Sequence, residues 1–140
     1  MKIHKTIRSK GIEDLAYLAG IIDGEGTIGI YYHKGRNSYR VKIYVVNTYK
    51  PLIDWLGSVF GGFVYQRTHK TWKTKYEWHL GEDAMDLLKS LIPYLKIKKE
   101  QALTAIEFRE KFKQKELRQE FYLKMKQLNS RSFDMASCND

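Results

Sequence analysis

The sequence predicts an α+β domain in the order αββαββα, followed by an extra C-terminal helix. Three observations lead there. The hydrophobic period switches back and forth between the helical 3.6 and the strand value of two. Each switch is marked by Gly or a cluster of turn residues. A helix followed by a hairpin occurs twice, and at 140 residues the chain has the length of one domain.

From Ile12 to Asp23, Leu15, Leu18, Ile21 and Ile22 recur at three- and four-residue spacing, with Glu13 and Asp14 in the first turn where the helix dipole favours anions. Gly24 and Gly26 break this helix, and the period becomes two. Ile28, Ile30 and Tyr32 then alternate with Gly29, Tyr31 and His33. Gly35 to Ser38 is turn chemistry, after which Tyr39, Val41, Ile43 and Val45 alternate with Arg40, Lys42 and Tyr44. The pair forms a hairpin with one basic face.

Asn47-Thr48 and Pro51 open a short second helix, which Gly61-Gly62 stops. Phe63 to Gln66 and Trp72 to Leu80 make a second hairpin, with Trp72, Thr74, Tyr76 and Trp78 on the buried face and Lys73, Lys75, Glu77 and His79 opposite. A third helix runs from about Glu82 to Leu91 and stops near Pro93. Ile97 to Leu128 reads as one or two charged helices, with Leu103, Ile106, Phe112 and Leu117 as apolar positions. The expected organisation is a basic arm over 1–11, one domain over 12–128 and a tail over 129–140.

Twenty-five Lys and Arg against 16 Asp and Glu give a formal charge of +9, which favours a polyanionic partner, nucleic acid first. A hydrophobic fraction of 43% excludes a disordered basic tail for most of the chain. The lone Cys138 excludes an intrachain disulfide framework and a Cys-ligated zinc site, and is compatible with a reducing compartment. Leu15 to Ile22, the longest apolar run, is far shorter than the roughly 20 residues a membrane span needs, and the N-terminus lacks the apolar core of a secretory signal. No membrane partner is expected. His4, His33, His69 and His79 lack ligand spacing with acids.

Gly24-Glu25-Gly26-Thr27-Ile28-Gly29 matches G-x-G-x-x-G, but a helix precedes it and a strand follows, the reverse of the dinucleotide-binding context. A nucleotide cofactor is not expected. Ala16, Gly20 and Gly24 form a stripe of small residues, although Gly in a helix costs about 1 kcal/mol relative to Ala. Such a stripe lets two helix backbones approach closely, either between two copies of this helix across a two-fold axis or against the chain's own strands. In the first arrangement Glu25 of each subunit approaches the axis at a helix C-terminus. There two carboxylates repel unless a divalent cation neutralises them.

Leu18-Ala19-Gly20-Ile21-Ile22-Asp23-Gly24-Glu25-Gly26 resembles the LAGLIDADG motif of the homing endonucleases. Pro93 to Ala102 is similar to the P-x-L-x-[LI]-K-x-x-Q-A segment of the family's single-motif members. The resemblance implies an antiparallel, saddle-shaped sheet. It also implies a homodimer that cuts a long pseudopalindromic DNA site, leaving short 3′ overhangs, with Ala16, Gly20, Asp23 and Gly24 at the dimer interface and Asp23 in a structural role. Carried over by position, Glu25 resembles the acidic Mg²⁺ ligand, with the carbonyl of Gly24 beside it; the family pattern has Asp at that place. Lys98 aligns with the basic residue that organises solvent or stabilises the reacting phosphate; its rival role is an ordinary phosphate contact. Asn47 is the choice for the polar residue that holds the water network, with helix N-cap as its rival.

DNA recognition is expected on the polar faces of the hairpins, since a two-stranded ribbon fits the major groove. The candidates are Tyr31, His33, Arg40, Lys42, Tyr44, Tyr65, Arg67, His69, Lys73 and Lys75, with Arg36 and Lys70 at the loops meeting phosphates. Two other classes remain open: an RNA-binding maturase that assists splicing of a host intron, and a DNA-binding protein that does not cut. A mobile intron as host leaves the compartment, organellar or microbial, unassigned within an intracellular setting.

Overall fold

A computed structural model describes residues 11–81 and 83–138, without the side chains of 131–138. The basic arm expected over 1–11 therefore lies, but for Gly11, outside the described residues, as do Glu82 and positions 139–140. The elements are α1 Ile12–Glu25, β1 Gly26–His33, β2 Ser38–Asn47, α2 Lys50–Phe60, β3 Phe63–Arg67, β4 Lys75–Leu80, α3 Ala84–Leu91, α4 Lys99–Glu110 and α5 Lys115–Cys138. This is the expected α+β order. The strands form one sheet in the order β1-β2-β4-β3, antiparallel at every pairing.

Period-two alternation sorts the sheet into two faces. On one, Ile28, Ile30, Val41, Ile43, Val45, Trp78 and Leu80 join Leu18 and Ile22 of α1, Leu56 and Phe60 of α2, and Leu87 and Leu91 of α3 in a single buried cluster. Trp78 has its polar handle satisfied there, its indole N–H donating to the Gly61 carbonyl at 2.7 Å. The turn that delivers β3 beside it depends on glycine. Gly62 has φ +88°, and a Cβ there would stand 2.3 Å from the His79 carbonyl oxygen.

Several expectations shift. β4 begins at Lys75 rather than Trp72, because the chain folds on itself first: His69 Nδ1 accepts the Thr71 N–H at 3.2 Å, and its ring stacks on Trp72. Trp72 is thus not buried but 64% exposed, and Lys73 belongs to a loop. Leu103 is 48% exposed, because α4 turns Ala102, Ala105 and Phe108 inward, and the helical period sends position 103 outward. The helix boundary at Leu128 also moves. α5 continues to Cys138, and Asn129 donates to the Ile28 carbonyl of β1 at 3.1 Å, so the C-terminal helix covers a sheet edge that would otherwise present unpaired backbone.

Candidate nucleic-acid interface and carboxylate site

The face of the sheet opposite the core is a connected polar and aromatic surface. The register sets Tyr31 opposite Arg40, Gly29 opposite Lys42, Tyr44 opposite His79, Tyr65 opposite Glu77 and Arg67 opposite Lys75. Tyr31 folds back over Gly29, where any Cβ would meet its ring at 2.7–2.8 Å. Burial, and then a hydrogen bond to Tyr44 and its charge, raise the Tyr31 phenol above its ordinary pKa, so it stays a neutral donor. Lys42 Nζ lies 5.5 Å from the centre of that ring, and Tyr44 stacks on His79 at 5.4 Å. His79 Nε2 bonds Glu77 at 2.8 Å, and Arg67 Nε bonds the other Glu77 oxygen at 2.7 Å.

Glu77 is the acid at the centre of this basic face. Burial acts to raise its pKa, but hydrogen bonds from His79 and Arg67 together outweigh burial and hold the carboxyl below its usual value. A depressed folded-state pKa gives stability that is present above the unfolded value and is lost as pH falls through the folded one. Glu77→Gln is therefore expected to flatten the acid side of the stability profile, measured as Tm from neutral pH down to about pH 3. An unchanged acid limb would refute the role of this pair of bonds.

At one end of the sheet, three polar groups with separate tasks meet at the last turn of α1, Asp23 and Glu25 on the helix itself and Lys98 from the segment before α4. Asp23 points inward: its carboxylate accepts the backbone N–H groups of Lys96 at 2.8 Å and Lys98 at 2.9 Å, which ties the segment before α4 to α1. Hydrogen bonds to a charged group contribute about 1.5–3 kcal/mol each. Lys98 is half-buried and held in place. Its ammonium donates to the carbonyls of Ile22 at 2.9 Å and Asp23 at 3.1 Å, as a cation at a helix C-terminus should. Burial lowers its pKa, and the charge of Asp23 partly offsets this.

Glu25 points outward, at the exposed tip of the same turn, and one carboxylate oxygen accepts the Asn47 side-chain N–H at 2.7 Å. The N-cap role for Asn47 falls away, since Tyr49 caps α2 without a side-chain bond. Asn47 ends β2 instead, and its other amide atom accepts the Tyr49 N–H at 2.7 Å, which fixes the side chain toward Glu25. Beside the pair lies a concavity of about 540 Å³ bordered by Ala16, Tyr17, Gly20, Ile21, Tyr49 and Leu52. The small stripe does not face the chain's own strands. Ala16, Gly20 and Gly24 are exposed, and a Cβ at Gly20 or Gly24 would meet nothing within 4 Å. Asp23, by contrast, directs its carboxylate into its own chain.

The sheet thus brings Tyr31, Arg40, Lys42, Tyr44, Tyr65, Arg67 and Lys75 onto one face. His33 and Arg36 sit at the β1–β2 turn, where His33 Nδ1 accepts the Arg36 N–H at 3.2 Å. His69, Lys70 and Lys73 occupy the β3–β4 loop. Glu77 and His79 are central to the face yet absent from the expected contacts, although the same alternation that selected Tyr65 and Lys75 reaches them. Trp72 was hidden by the strand start, a boundary that periodicity does not fix. Among the described residues no group of three His, Cys, Asp or Glu is arranged to hold a metal ion within one chain.

Neither a protein-family model nor a curated protein matches the chain. Solved structures do. The homing endonuclease I-CvuI, in complex with its target in the presence of Ca, matches with a TM-score of 0.67 and 21% identity over 83% of this chain and 82% of that one. The archaeal intron-encoded homing endonuclease I-Vdi141I, complexed with DNA, matches with 0.65 and 13% identity over 83% and 84%. The LAGLIDADG homing endonuclease I-GzeII, in complex with a DNA target, matches with 0.60 and 14% identity over 86% of this chain but 44% of its own. The chain has the LAGLIDADG homing-endonuclease fold.

Proposed function

We propose that this chain is a site-specific, Mg²⁺-dependent DNA endonuclease that acts as a homodimer on a long pseudopalindromic site and leaves short 3′ overhangs. The observation that carries the reading is the Glu25–Asn47 pair, presented outward at the tip of a helix whose small-residue stripe is open. Two such helices crossing at Ala16, Gly20 and Gly24 bring two Glu25 carboxylates together, each beside a basic sheet face. I-GzeII, with this chain's match covering 44% of its length, has room for two such units.

The residues fit a divalent cation. Glu25 offers hard carboxylate oxygens at an exposed tip, one of them already oriented by Asn47, and Gly24 precedes it in the same exposed turn with a carbonyl as a further oxygen donor. When bound there, Mg²⁺ supplies positive charge for the scissile phosphate and acidifies water. Asn47 holds the carboxylate rotamer through one hydrogen of its amide nitrogen and can turn the other to solvent. Lys98, tethered to the α1 carbonyls, supplies a positive charge at the same helix end that favours a phosphate there. The hairpin faces hold DNA through Tyr31, Arg40, Lys42, Tyr44, Tyr65, Arg67 and Lys75, with Arg36 and Lys70 on phosphates. An intron RNA as a second partner follows from the same basic face but from no separate feature.

The test is incubation with a randomised duplex library, with and without a chelator, followed by sequencing of cut ends. Recovery of a pseudopalindromic site only when metal is present is the expected result. Binding without cutting in both arms would make the chain a regulator or a maturase, and cutting with chelator present would remove the metal from the mechanism.

A further inference from the structure

We propose that the β3–β4 loop, residues 68–74, is a backbone clamp beside the cleavage centre. In it Trp72, held against His69, packs on the deoxyribose wall of duplex DNA while Lys70 and Lys73 meet the flanking phosphates. This rests on the DNA-binding reading above.

Register places the loop. Asn47, which bonds Glu25, ends β2 opposite Tyr76 of β4, and Tyr76 in turn pairs with Gln66 of β3. The last pair of that hairpin is Arg67 with Lys75, so the loop overhangs the end of the sheet at which Glu25 lies. It is displaced sideways from Asn47 by about one to two strand spacings, roughly 5–10 Å. The β1–β2 turn is at the opposite end, since His33 pairs with Ser38 there.

The loop is built rather than loose. His69 Nδ1 accepts the Thr71 backbone N–H at 3.2 Å and lies 3.0 Å from its hydroxyl, and the imidazole is stacked on the indole at 4.0 Å and 15°. Lys75 Nζ lies 5.7 Å from the indole centre. A large ring is thereby pre-ordered while 64% exposed, at little further entropic cost to a ligand. The run Arg67 to Lys75 contains four Lys or Arg residues and no acid, so the occupant is polyanionic as well as apolar at contact distance. Sugar C–H groups flanked by phosphates meet both demands in a duplex, where base faces are stacked away. The contact is independent of sequence.

That independence makes the test possible without the target site. Binding to a random-sequence duplex pool is measured for the wild-type chain, Trp72→Ala and Trp72→Phe, together with acrylamide quenching of tryptophan emission. Trp78 is fully buried, and Trp55, half-buried, remains in Trp72→Phe, which gives the background. The expected result is about tenfold weaker binding for Trp72→Ala, near-wild-type binding for Trp72→Phe, and protection of the Trp72 emission when DNA is added. Circular dichroism checks that Trp72→Ala folds. Unchanged affinity with unprotected emission would overturn the clamp while leaving the endonuclease reading in place. Failure of the wild-type chain to bind any duplex would overturn that reading itself. A Trp72 dependence seen only with single-stranded RNA would replace the duplex by unpaired bases as the occupant, and so overturn the clamp as stated.

Discussion

Replacing Glu25 by Gln is expected to abolish cleavage of the recovered site, by at least a thousandfold, while leaving salt-sensitive DNA binding intact. The substitution keeps the shape of the side chain and removes its charge, so the Asn47 contact loses an ionised acceptor but not its geometry. What disappears is the negative charge that holds a hard cation, and metal-assisted steps are worth several kcal/mol of transition-state stabilisation. The fold should not notice: Glu25 is exposed, and the residue that ties the α1 terminus to the segment before α4 is Asp23. Supercoiled-plasmid cleavage and fluorescence anisotropy on the same preparation separate the two readouts. A Glu25→Gln chain that still cuts would displace the carboxylate from the mechanism.

Gly20→Leu should stabilise the isolated chain and destroy its activity. A helical Gly costs about 1 kcal/mol relative to better helix formers, and a Cβ at position 20 meets nothing within 4 Å in its own subunit. Thermal unfolding of the monomer should therefore hold or rise by a few degrees. In a dimer made by close crossing of two α1 helices, the same isobutyl group stands where the partner's backbone must approach. Sedimentation should then show monomer at micromolar concentration, and cleavage of both strands should be lost. If Gly20→Leu remains dimeric and active, the two subunits meet elsewhere.

Much of this was legible in the chain because its signals are local. The shift from helical period to alternation at Gly24–Gly26, the glycines at 61 and 62, and the parity of Tyr31, Arg40 and Lys42 each follow from a few neighbouring residues. Asn47 was legible only in part. Its sequence context suggests a cap, and its role depends on Glu25, 22 positions earlier, brought close by the pairing of β1 with β2. Trp72 was misplaced because alternation continues through Trp72 and Thr74 whether or not a strand forms, whereas the His69 imidazole, by engaging Thr71 and Trp72, delays the strand to Lys75. Leu103 shows the same limit for helices. A charged helix with small inward residues carries little contrast between its faces.

The unequal lengths of the strands bear on how such a protein changes over time. β4 accompanies β2 only from Asn47 to Ile43, so within the sheet positions 38–42 of β2 pair with β1 alone. Arg40 and Lys42 thus sit on a two-stranded promontory, whereas Asn47 and its neighbours are braced by the wider part of the sheet. Under the proposed reading, a lineage can rewrite the promontory, and with it the outer letters of the DNA word it recognises, without disturbing the carboxylate that does the cutting. Targeting and chemistry can drift at different rates within one small sheet.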